Sequence, residues 1–154
     1  MQFVTVFLGG EEVGLPIDCV REIVEHRPVT RVPSMPSAVR GVTNLRGRVV
    51  PVIDLAAVLR LDARAADCRT CFAVVEVAFD GEKLLLALQA DAIGRVLDAT
   101  EAELLPAPTF GTRVRLDYLR GIAPVDDRFA LVLDLDRVLS PGELLAAAHL
   151  GDAR

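Results

Sequence analysis

Tryptophan is absent from this 154-residue chain, tyrosine occurs once, and aromatic residues make up only 5% of it. A core without large rings has to be assembled from Val, Leu, Ile and Ala. The hydrophobic fraction of 52% supplies enough of these to exclude global disorder. The scarcity of aromatics, together with a net charge of −5, also argues against nucleic-acid binding, which needs a basic face and stacking side chains. No apolar run approaches the roughly 18 residues of a membrane-spanning helix. The chain opens directly on an apolar strand pattern, without the basic-then-apolar layout of a signal peptide. These absences lead to the expectation of a soluble cytoplasmic protein with no membrane insertion and no nucleic-acid partner.

Catalytic signatures are missing as well. There is no Gly-x-Gly-x-x-Gly, phosphate-binding loop, Gly-x-Ser-x-Gly or His-Glu-x-x-His. His26 lies beside a proline-rich connection and His149 near the end of the chain, and neither has a neighbouring nucleophile. Three cysteines cannot all pair internally. Cys68 and Cys71 form a Cys-x-x-Cys, which admits a small thiol redox protein as an outside reading. Against it, Cys71 leads into the strand pattern of residues 72–77, not into a helix N-terminus that would activate a thiol. Zinc would need further ligands, and Cys19, His26 and His149 have no finger-like spacing. The expectation is therefore a non-enzyme without cofactor or metal.

What the chain does contain is a repeat. Arg40-Gly41-Val42-Thr43-Asn44-Leu45-Arg46-Gly47-Arg48-Val49-Val50-Pro51-Val52-Ile53-Asp54-Leu55 returns as residues 120–135 at a constant offset (121 − 41 = 135 − 55 = 80). Each copy reads as a strand, a tight turn and a β-branched strand that ends in Asp54 or Asp134, a cap for the turn that follows. Earlier strands repeat too: residues 3–8 and 13–17 form one predicted hairpin, and residues 72–79 and 84–88 another. Residues 92–97 match residues 19–24 (92 − 19 = 73). Residues 17–24 fit a short helical turn, with Asp18 as N-cap and Val20, Ile23 and Val24 on one face. Thr100-Glu101-Ala102-Glu103 has the form of a capping box, and Ser140-Pro141-Gly142-Glu143 starts a C-terminal helix over about 140–150. Pro51, which cannot donate to a ladder, is expected at an edge or bulge.

The fold class read from this pattern is mainly β. One domain covers 1–154, with repeats over about 1–66 and 67–139, each unit closing into a small barrel, or a sandwich as the alternative. The two hairpin apices differ in charge. Arg46 and Arg48 flank Gly47 in the first, whereas Asp126 and Asp127 occupy the second. A solvated turn accounts for either. An arginine at an apex can also reach a carboxylate or helix-end carbonyls on a partner.

Segment 40–55 resembles the signature of the CheW family of bacterial chemotaxis coupling proteins. Val20-Arg21-Glu22-Ile23 and Tyr118-Leu119-Arg120-Gly121 are similar to that family in place and order. The resemblance runs from Phe3 to about Leu150. It implies two SH3-like five-stranded barrels with strands exchanged between them, and a non-enzymatic adaptor. Such an adaptor joins the cytoplasmic tips of chemoreceptors to the regulatory domain of a CheA-type histidine kinase, in arrays at the membrane. Carried over by motif, Val20, Glu22 and Ile23 face the kinase, while Val42, Leu45, Arg46 and Gly47 meet the receptor tip. Gly41 and Gly121 match positions tied to coupling, and a backbone role is the other reading of each. An equivalent adaptor in a pilus-motility or surface-sensing pathway is the alternative, differing in its partners. His26-Arg27-Pro28 fits no pattern of the family.

Overall fold

The computed structural model describes residues 1–62, 64–99, 104–106 and 114–150. Among them are ten strands: β1 (Gln2–Leu8), β2 (Glu11–Pro16), β3 (Val20–Glu25), β4 (Val39–Leu45), β5 (Arg48–Asp54), β6 (Cys71–Phe79), β7 (Glu82–Ala90), β8 (Ala92–Asp98), β9 (Leu119–Val125) and β10 (Arg128–Leu133). Helices α1 (Leu55–Leu59), α2 (Leu135–Val138) and α3 (Pro141–Leu150) follow β5, β10 and α2 respectively. The proposed capping box at residues 100–103 lies outside the described residues.

The strands form two five-stranded sheets, in the orders β8-β1-β2-β10-β9 and β3-β6-β7-β5-β4. Each sheet takes strands from both sequence repeats. Hairpin β1–β2 of the first repeat joins hairpin β9–β10 of the second, and β6–β7 of the second joins β4–β5 of the first. The junctions are short parallel ladders, Leu131↔Val13 and Val132↔Gly14 in one sheet and Val52↔Ala87 through Asp54↔Gln89 in the other. All remaining pairs are antiparallel. The segments 41–55 and 121–135 occupy equivalent hairpins in different sheets, as the 80-residue offset demands.

Packing explains the composition. Val4, Val6, Leu8, Val13 and Leu15 from one sheet meet Ile53, Ala73, Val75, Leu86 and Leu88 from the other in one large core that α1, α2 and α3 close. The opposite faces hold smaller cores of their own: Leu45, Val50, Val52, Phe72, Val74 and Ala87 in one sheet, and Phe3, Ala99, Ala123 and Val132 in the other. A strand buried on both faces reads as a continuous apolar run, which is why residues 71–75 are Cys-Phe-Ala-Val-Val with no polar alternation.

The caps form as expected. Asp54 accepts from Ala57 N at 3.3 Å and Asp134 from Asp136 N at 3.2 Å. Ser140 and Glu143 exchange side chain and backbone bonds at 3.0 and 3.2 Å, a reciprocal box that starts α3. Pro51 opposes Val42, whose N–H and C=O are both spent on Thr30, and β7 pairs with β5 only from Val52 onward. The proline nitrogen therefore falls where no ladder bond is missed. The helical turn expected over residues 17–24 is corrected: a single 3-10 turn covers Ile17–Cys19 without a side-chain cap from Asp18, and Val20–Glu25 is strand β3. A register shift between Val20 and Glu22 in its pairing with β6 breaks the strict alternation, so the apolar spacing imitates a helix.

Candidate functional site

The turn between β4 and β5 has Arg46 at φ 53° and Gly47 at φ 84°, and Asn44 Oδ1 accepts from Gly47 N at 2.8 Å. Positive φ at the first turn position favours Asn, Asp or Gly, and the other hairpins comply with Gly9, Asp80 and Asp126. Arg46 is the exception, so its side chain and not its backbone accounts for its presence.

That side chain donates a hydrogen bond to Glu22 of β3 and forms an ion pair with it. Glu22 holds the Arg46 guanidinium above its ordinary value, chiefly through this hydrogen bond. Next to the pair, Arg21 reaches Glu76 of β6 at 2.6 Å and Lys83 of β7 lies 3.6 Å from the same carboxylate. The Arg21 hydrogen bond keeps Glu76 below the usual carboxylate range. Arg21, Glu22, Arg46, Arg48 and Glu76 rim a depression of about 420 Å³ that Leu45, Val74 and Leu85 also line. Exposed ion pairs of this kind add little to stability. Their value lies in fixing guanidinium and carboxylate groups at the surface.

The second sheet repeats the plan with the signs reversed. At the other apex, Asp126 accepts from Arg95 of β8 at 3.2 Å, so Asp126 stands where Arg46 does and Arg95 where Glu22 does (95 − 22 = 73). Arg95 also lies 3.3 Å from the buried Glu12, which accepts from Thr5 Oγ1 at 2.6 Å and has Arg128 at 3.8 Å. An expectation is corrected here. A solvated turn was expected to account for the arginine apex and the aspartate apex alike, yet Glu22 gives Arg46 a specific structural partner. The signal was available, because the offsets of 73 and 80 reverse the charge of both partners together.

The residues assigned to separate surfaces are thus in contact. Glu22, expected by motif to face the kinase, touches Arg46, expected by motif to meet the receptor. Val20 and Ile23 are half-buried and lean on the large core. Val42 is half-buried, Gly47 is exposed, and Leu45 is only 3% exposed within its sheet's own core, so it supports the apex from beneath. Gly41 and Gly121 are both buried for backbone reasons. A Cβ on Gly41, at φ 143°, would meet Thr30 O at 2.0 Å, and one on Gly121 would meet Leu105 O at 2.8 Å. Each glycine admits a crossing backbone that pairs with the next residue, Thr30 with Val42 and Leu105 with Ile122.

Cys71 is 5% exposed in the large core, and burial pushes its thiol up, with the nearby Asp91 adding to the shift. Cys68 is exposed, and all three cysteines are free. No group of three or more His, Cys, Asp or Glu side chains is arranged to hold a metal among the described residues. Among them, too, no helix is long and apolar enough to cross a membrane.

Residues 2–143 match the CheW-like domain family. The chain is 34% identical over 143 residues to the chemotaxis protein CheW of Klebsiella aerogenes, covering 93% of this chain and 84% of that one. It is 32% identical to a probable chemotaxis protein CheW of Rhizobium etli, with 91% and 88% covered. Among solved structures, the scaffolding protein TtCheW of Thermoanaerobacter tengcongensis superposes with a TM-score of 0.78 at 29% identity, over 92% of this chain and 89% of that one.

Proposed function

This chain belongs to the CheW-like family, and from that membership we propose that it couples the cytoplasmic tips of chemoreceptors to a CheA-type histidine kinase. It acts as a scaffold in the cytoplasm at receptor arrays, and binding is its whole contribution. The observation that carries the reading is Arg46, kept at a turn position whose backbone would suit Gly or Asp better and held outward by Glu22. A guanidinium fixed in this way is preorganised to meet an acidic or carbonyl-bearing partner, because part of its rotamer entropy has been lost before binding.

In this reading β3 presents Val20, Glu22 and Ile23 to the kinase regulatory domain. The β4–β5 apex presents Arg46 and Gly47, with Val42 alongside, to the receptor. Leu45 keeps the apex rigid from below. Since Glu22 and Arg46 touch, the two surfaces share a border, and occupation of one is felt at the other through that pair.

Reconstitution tests this. Receptor fragment, kinase and this chain are combined and ATP consumption by the kinase is followed. Activation that needs all three components, and that falls when Arg46 becomes Ala, is the expected result. A chain that binds neither receptor nor kinase would sink the proposal.

A further inference from the structure

Two arginines next to the apex have no counter-ion among the described residues. The side chains of Arg27, just past β3, and Arg48, the first residue of β5, make no ion pair or hydrogen bond with any described residue. Both line a cleft of about 390 Å³ between the 27–30 segment and the β4–β5 hairpin, and no acidic residue lines it. Arg27 is half-buried, and its Nε is closed off from solvent with no acceptor. A partly desolvated guanidinium without a counter-charge is unfavourable, and an arriving carboxylate relieves it. The rest of the wall suits a short aliphatic stem: Pro28, Val42 and Val49, the last 43% exposed. Gly47 belongs to the same lining, so the cleft adjoins the Arg46 apex directly.

We propose that this cleft seats a glutamate side chain of the receptor tip, its carboxylate on Arg27 and Arg48 and its methylenes against Val42 and Val49. The inference rests on the receptor-coupling reading and deepens it. The Arg46 apex supplies a contact, and the cleft selects receptors that carry an acidic residue at the matching place. Two unpaired positive charges and no negative one commit the occupant to an anion. The apolar wall favours glutamate over the shorter aspartate.

The test measures binding of a receptor cytoplasmic fragment and of the kinase regulatory domain to the full chain. The parent is compared with Arg27→Gln/Arg48→Gln and Arg27→Lys/Arg48→Lys. The Gln variant should lose receptor affinity by tenfold or more with a shallower salt dependence, while kinase affinity stays unchanged and the Lys variant retains part of the binding. Receptor fragments with single tip glutamates changed to Gln should reproduce the loss at one position with the unaltered chain, which removes any dependence on the fold of the variants. If the parent binds receptor and neither the Gln variant nor any glutamate change weakens it, the cleft assignment is wrong while coupling stands. If kinase affinity falls instead, the cleft serves the kinase and the proposal is overturned. If the parent binds no receptor, the coupling reading fails and the cleft falls with it.

Discussion

Replacing Gly41 with Ala puts a methyl group 2.0 Å from Thr30 O, 2.7 Å from Thr30 C and 2.9 Å from Arg31 Cα. All three are backbone atoms, so no side-chain rotation can relieve the clash. The crossing segment must move away, and it gives up two hydrogen bonds, Thr30 N to Val42 O at 2.8 Å and Val42 N to Thr30 O at 2.9 Å. Each contributes about 1 kcal/mol net. Holding alanine at φ 143° adds about 1–2 kcal/mol of strain. The sum is about 3–4 kcal/mol, which for a domain of this size lowers Tm by about 10 °C. Gly121→Ala is the control. Its φ lies outside the left-handed region, so no strain is added there; its nearest contact, Leu105 O at 2.8 Å, is again backbone and must give way, but over a smaller distance, for a lower cost of about 1–2 kcal/mol. Thermal melts followed by circular dichroism measure both. Because Thr30 and Arg27 share one short segment, Gly41→Ala should also weaken receptor binding at temperatures where the protein is folded. Gly41→Ala melting within about 1 °C of the parent, or above Gly121→Ala, would refute the backbone account of these glycines.

Exchanging Glu22 and Arg46 (Glu22→Arg/Arg46→Glu) should restore the ion pair and the parent melting temperature, yet leave receptor-dependent kinase activation down by about tenfold, the loss of one charge-assisted contact; full recovery would reduce the pair to an internal strut. Thiol labelling should modify Cys68 at once and Cys71 only on unfolding, and Cys71→Ser should cost about 1–3 kcal/mol by burying a hydroxyl where Cys68→Ser is silent; equal labelling of the two would contradict the buried position. The Cys71 thiol is raised above its ordinary 9.0, so its contribution to stability is intact below pH 9.0 and lost as pH rises toward the folded value, a decline that urea titrations at stepped pH should find in the parent and find reduced in Cys71→Ala. Asp54→Ala removes the α1 cap and its contact with Arg40, for an expected loss of about 1 kcal/mol in urea unfolding, and an unchanged midpoint would speak against the cap.

Hairpins were the legible part of this fold. Turn residues such as Gly9-Gly10, Arg46-Gly47 and Asp80-Gly81 mark their apices, and the constant offset of 80 ties the copies together. Sheet partnership was not legible from spacing and came only with the family resemblance, because the parallel ladders join Val52-Ile53 to Ala87-Leu88 and Leu131-Val132 to Val13-Gly14. Runs buried on both faces carry no alternation to say which neighbour they want. β3 was misread for a local reason: the shift at Arg21 leaves Val20, Ile23 and Val24 at helical spacing. At the site, Arg46 stood out by its charge alone. Its partner Glu22, 24 residues earlier, is marked in the sequence only when the offsets of 73 and 80 are read together, and the fold brings the two into contact.

The exchange of hairpins also bears on how the chain comes to be assembled. Among the described residues of 61–70 there is no strand, and a cut there would leave two polypeptides. Neither half could complete a sheet by itself, since β1–β2 would lack β8, β9 and β10 and β4–β5 would lack β6 and β7. During synthesis the first half can form its two hairpins but leaves their outer edges without partners until the second half emerges, and completion of the sheets is governed by contacts distant in sequence. The two severed halves, made together, should then behave as complementing fragments, each supplying the strands that the other lacks. Hairpin exchange thus makes the two repeats one cooperative unit, which neither repeat can form alone.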